Sequence, residues 1–188
     1  MTTAGQRPMR ADARRNYTRL LTEAKVAFLE HGAEAPLEDI AKRAGVGIGT
    51  LYRHFPTRLA LQEAVYHDEV NAVCAKAYEV LETEPAGDAL AVWMGTFAAY
   101  ATSRRGLMQT LKEVINGRSD VFGRCHREIR EAAGAVLTRA QEAGTVRPEV
   151  TVADLLRLTH GISVAAEHAP ESAERLLSYL LDGLRPPH

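Results

Sequence analysis

The segment Leu37 to Phe55, LEDIAKRAGVGIGTLYRHF, restricts what this chain can fold into more than any other. Leu37, Ile40, Ala41 and Ala44 recur at helical spacing, so a short helix carries them on one apolar face. Gly45-Val46-Gly47 interrupts that face. In the second short helix that follows, Leu51 and Phe55 share one side, while Gly49, Thr50, Tyr52 and Arg53 lie around the remainder. Two short helices joined by a glycine turn have two readings: a plain helical hairpin, or a helix-turn-helix whose second helix enters a major groove.

Charge distribution favours the second reading. The net charge of -1 conceals an asymmetry. Residues 1–58 hold ten Lys and Arg against six Asp and Glu, a balance of +4, and residues 59–188 hold thirteen against eighteen, a balance of -5. A basic head on an acidic body is the footprint of a chain with one end that meets phosphates.

At GVGIGTLYRHFPTRLAL the chain resembles the TetR/AcrR family of transcriptional regulators. Their DNA-binding heads carry a Gly-Val turn, a Thr-Leu-Tyr-x-His-Phe recognition helix and a basic residue opening the next helix. The resemblance runs from about Tyr17 to Val65 and implies that Thr50, Tyr52 and His54 contact DNA. It places Arg58 where the family usually has a phosphate-reaching Lys. Chemistry adds that Thr50 can bond a phosphate or press its methyl on a thymine, and that Arg53 can fork onto guanine or clamp the backbone.

Two departures from the family pattern stand out. At Ala35-Pro36-Leu37 the usual Ser or Thr cap of the second helix is missing, which leaves the backbone N–H groups from Leu37 onward for a phosphate. Ile48 and Gly49 stand where relatives often carry a polar base reader. Sequence readout is therefore expected to lean on Arg53, on Ile48 against thymine methyls, and on an arginine arm.

Residues Met1 to Met9 lack periodicity and are expected to form an irregular tail. Arg7, Arg10, Arg14 and Arg15 accumulate around the start of a helix running to about His31. A helix start disfavours cations, so the cluster is either a solvated basic terminus or an arm, within residues 1–15, for the adjacent minor groove. Tyr17, Leu20, Leu21, Ala24, Ala27 and Phe28 form the stripe facing the next two helices, and Gly32 closes the first.

Beyond the head the pattern is helical to the end. A fourth helix is expected from about Thr57 to Glu82, followed by Asp88 to Ser103, a segment through Leu107, Leu111 and Ile115, Ser119 to about Ala143, Thr151 to about His168, and Glu171 to Leu184. Thr151 and Asp154 have the spacing of a capping box. The fold class is all-α with about nine helices: a three-helix head over residues 1–56 and a helical bundle over 57–188 for ligand binding and dimerisation.

Trp93, Met94, Phe97, Tyr100, Met108, Leu111, Phe122 and His126 are the candidate lining of a pocket. Such a stripe is also ordinary core; the resemblance, whose bodies enclose an effector cavity, implies a small apolar or amphipathic effector. The family's last two helices pair two chains, which implies a homodimer through Leu155, Leu158, Gly161, Ile162, Ala165, Leu176, Leu177, Leu180 and Leu184. The other reading of these leucines is monomer core.

Cys74 and Cys125 lie far apart in no ligand spacing, and Cys125 and His126 would point about 100° apart on a helix. No metal and no cofactor are expected; His126 and His160 would be the candidates for a metal sensor. No catalytic pattern is visible, so no enzyme is expected. No apolar run approaches the roughly 20 residues of a membrane span, and no signal peptide opens the chain, so a cytoplasmic location is expected. The expected function is a sequence-specific regulator released from a palindromic double-stranded DNA operator by its effector. Its rivals are a DNA-binding regulator without effector and a helical carrier or enzyme.

Overall fold

The computed structural model describes residues 6–103, 111, 113, 115, 120–166 and 169–187, and among them regular structure is helical, with no strand. The chain divides into two compact units, Met1–His67 with Gly106–Ser119 and Asp68–Arg105 with Asp120–His188. The division falls inside the fourth helix.

In the first unit, α1 (Gln6–His31) begins earlier than periodicity suggests. Gln6 to Met9 are helical rather than irregular, because Pro8 falls in the first turn, where its missing N–H has no intrahelical partner to lose. Residues 1–5 of the expected tail lie outside the described residues. Gly32 ends α1 at φ 75, a left-handed conformation open to a residue without Cβ. Leu20, Leu21, Ala24, Ala27 and Phe28 are buried against Leu37, Ile40 and Ala41 of α2 (Leu37–Arg43) and Leu51 of α3 (Ile48–His54). Leu61 and Val65 from the start of α4 (Arg58–Thr83) are also fully buried.

The second unit is a bundle in which α5 (Ala86–Ser103) packs against α6 (Val121–Glu142), α7 (Val152–Ala165) and α8 (Ala173–Leu184). Its centre holds Trp93, fully buried, whose indole N–H donates to the Val73 carbonyl of α4 at 3.1 Å. Arg139 of α6 donates to the Leu81 and Glu84 carbonyls, satisfying acceptors that the end of α4 leaves without helical partners. Thr151 and Asp154 form the expected capping box, each side chain bonding the other's backbone N–H at 3.2 Å.

Boundaries also shift in the last two helices. α7 stops at Ala165 rather than near His168, which lies outside the described residues; Ala166 closes it by donating to Ile162 at 2.9 Å. α8 starts at Ala173, because Pro170–Ser172 forms a 3-10 turn before it. Leu111, Glu113 and Ile115 are helical. No helix among the described residues is long and apolar enough to cross a membrane.

Candidate nucleic-acid interface

The turn between α2 and α3 is built by Gly45, which has φ 65 and packs against the Arg19 guanidinium so closely that a Cβ would collide with it. Gly47 then begins α3 in extended conformation, φ -74 and ψ 150. Leu51 and Phe55 anchor one side of α3 in the core. By helical periodicity the opposite side faces out: Gly49, Tyr52 and Arg53 are exposed, and Ile48, Thr50 and His54 are half-buried.

Within this face Arg53 is not extended. Its Nη2 donates to Thr50 Oγ1 at 2.9 Å and its Nε to the Gly49 carbonyl at 3.2 Å. His54 at the end of α3 meets the ring of Tyr17 edge-on at 5.9 Å, and Tyr17 packs on Phe55 at 5.1 Å. Tyr17 was expected in the buried stripe of α1, but 38% of its surface is exposed. It braces α3 at the edge of the core, a role that stripe periodicity does not distinguish from burial.

Two residues expected at DNA are turned toward the protein. The Leu37 side chain is buried, so only its backbone is available at the start of α2, where Pro36 supplies no side-chain cap. Arg58 Nη1 donates to the carbonyls of Ala35 at 2.6 Å and Ala33 at 3.2 Å, with Glu34 3.8 Å from its Nε. Gln62, buried one turn later, also donates to Ala33, at 2.9 Å. Sequence reading missed Gln62, because a polar residue in a helical pattern carries no sign of which carbonyl it will satisfy.

Arg14 and Arg15 of the expected arm are exposed on α1, with Arg15 paired to Asp12. The side chains of Arg7 and Arg10 lie outside the described residues. In the second unit Trp93 and Met94 are fully buried, and Phe97 stacks on Trp93 with centroids 5.5 Å apart and planes 7° from parallel. Phe97, Tyr100 and Phe122 are half-buried, whereas His126 is exposed, as is His160. Leu111 is buried but clusters with the first unit, and Met108 lies outside the described residues.

Of the residues expected between two chains, Leu155 and Leu184 are buried inside the second unit, where they complete its core. This corrects their assignment. Leu158, Gly161 and Ala165 are exposed, and Ile162, Leu176, Leu177 and Leu180 half-buried.

Residues 20–65 match the family model of bacterial regulatory proteins of the tetR family, and residues 85–186 match that of the C-terminal domain of SbtR-like transcriptional regulators. The crystal structure of the TetR transcriptional regulator SCO0520 from Streptomyces coelicolor is 38% identical, with a TM-score of 0.78 over 92% of this chain and 99% of that one. The HTH-type transcriptional regulator UidR of Escherichia coli K12 is 27% identical over 94% of this chain and 93% of its own length. The HTH-type transcriptional repressor KstR2 of Rhodococcus jostii RHA1 is 27% identical over 91% and 92%. Fold and relatives together define a helix-turn-helix transcriptional regulator, a DNA-binding protein and not an enzyme. The chain belongs to the TetR family.

Proposed function

We propose that this regulator is a repressor that holds a palindromic operator as a homodimer and releases it when a small apolar or amphipathic effector enters the body. What carries the DNA side is the outward face of α3: Leu51 and Phe55 fix the helix from behind, and Ile48, Gly49, Thr50, Tyr52, Arg53 and His54 are left facing out. Arg14 and Arg15, with Arg10, supply the arm. Residues 1–56 act as the head and 57–188 as the effector-binding and dimerising body, working in the cytoplasm where the DNA is.

Pairing is supported by the apolar surface of α7 and α8, where Leu158 is 45% exposed, Val164 43% and Tyr179 64%. A two-fold dimer reads two half-sites, which one small head does not. Phe97, Tyr100 and Phe122 are half-buried aromatic residues of the body and keep accessible surface for an effector. Release requires the effector to favour the DNA-incompetent arrangement, since equal affinity for both arrangements shifts nothing. KstR2, a relative over most of its length, is named a repressor, which supports that sign of action.

The test is binding of the full chain to a random-sequence duplex pool at two salt concentrations, with sequencing of what is retained. A two-fold motif and a steep salt slope are expected. Retention without a motif would rule out sequence-specific control. Light scattering at micromolar concentration should give twice the chain mass, and a monomer there would end the dimer reading.

A further inference from the structure

Five helical threonines make a side-chain bond that Thr50 does not. Thr18, Thr22, Thr83, Thr96 and Thr159 each donate their hydroxyl to the carbonyl four residues back, at 2.8 to 3.2 Å. Such a bond turns the hydroxyl proton inward along the helix. For Thr50 the residue four back is Val46, which precedes the extended cap Gly47 and so does not offer its carbonyl in the helical row. Thr50 Oγ1 instead accepts from Arg53 Nη2 at 2.9 Å, while Arg53 Nε holds the Gly49 carbonyl at 3.2 Å. Two points of attachment fix the guanidinium plane along α3.

A hydroxyl has one proton and two acceptor positions. With a guanidinium donating to its oxygen, the Thr50 hydroxyl cannot spend its own proton on Arg53 and keeps it to donate elsewhere. A hydrogen bond from a cation also polarises the O–H and strengthens it as a donor. We infer that Arg53 acts on DNA through Thr50: it is a positioning residue that holds the Thr50 hydroxyl as an outward donor, and is not an independent reader of guanine. The group met by Thr50 is then an acceptor, either a phosphate oxygen or a base-edge acceptor such as purine N7. This rests on α3 being the recognition helix, and it assigns Thr50 a hydrogen bond where a methyl contact with thymine was equally open.

The measurement is a double-mutant cycle by anisotropy, using the full-length chain and the duplex recovered from the random pool. Thr50→Val and Arg53→Ala should each weaken binding about 10-fold, and the double variant should lose about the same 10-fold rather than about 100-fold. Arg53→Lys, which keeps the charge but cannot hold both attachment points, should behave like Arg53→Ala. Thr50→Ser, which keeps the donor, should stay within about 3-fold of the parent.

Losses that multiply in the double variant, full affinity in Arg53→Lys, or a Thr50→Ser as weak as Thr50→Val would each overturn the inference. Arg53 is exposed and Thr50 half-buried, so melting temperatures should move little. Scanning the duplex with methylphosphonates and 7-deazapurines separates the two acceptors: one substitution should abolish the difference between parent and Thr50→Val. No substitution doing so would overturn the inference. If the parent recovers no motif at all, the recognition-helix reading fails first, before any variant is compared.

Discussion

Arg58 Nη1 lies 2.6 Å from the Ala35 carbonyl oxygen, and this bond ties the first residue of α4 to the loop that leads into α2. Arg58→Ala leaves carbonyls of a largely buried loop with fewer donors, and the expected cost is about 1–3 kcal/mol. Arg58→Lys keeps the charge without the fork and should lose most of the same stability, read as a lower melting temperature. A Lys variant as stable as the parent, with changed DNA affinity only, would return Arg58 to the phosphate role expected from the family.

Gly45 combines a left-handed backbone with close packing against Arg19. Gly45→Ala should destabilise the head by at least about 1–2 kcal/mol, because the backbone conformation disfavours a Cβ and the guanidinium must move. Gly49, around which a Cβ meets nothing within 4 Å, is the control. Gly49→Ala should leave the melting temperature unchanged or raise it, since alanine favours the helix. Equal losses from the two substitutions would contradict this account of the turn.

Asp154 has its carboxyl held below the usual range by the Thr151 hydroxyl and then by the Thr151 N–H. A carboxylate with a lowered folded pKa adds stability above the ordinary Asp range and loses it as pH falls through the depressed folded value. Thr151→Ala should therefore lower the melting temperature at neutral pH by roughly 2–4 °C and shrink that difference in acid. A difference that stays constant down to the acid transition would mean the carboxylate is not coupled to the cap.

Burial pushes the Cys74 thiol up to about 11, assisted by Glu128 and Glu131, and pushes Cys125 to about 11, assisted by Glu128. At pH 8 about one thiol in a thousand is then thiolate, and both side chains are shielded. A thiol reagent should modify neither residue of the native protein on the timescale in which it modifies both in denaturant. Fast labelling of either native cysteine would show that the body opens readily.

The sequence by itself determined the two short helices and the glycine turn between them. The apolar positions from Leu37 to Phe55 repeat at helical spacing around glycines that permit a turn, and such local rules need no tertiary information. The same holds for the Thr151 cap, where partners three residues apart find each other within one turn. Tertiary structure alone decided direction and partnership. Tyr17 sits in the same stripe as Leu20 and Leu21, yet it stands at the rim, 38% exposed, against His54 and Phe55 of the second short helix and its end. Arg58 looks in sequence like a free cation, but the loop carbonyls of Ala33 and Ala35 reach it only once α1, α2 and α4 are packed. Leu155 and Leu158 read alike in a periodic pattern; one is core and the other surface, because burial depends on which helices lie alongside. Periodicity fixes which residues share a face, whereas the neighbour that covers the face comes from distant parts of the chain.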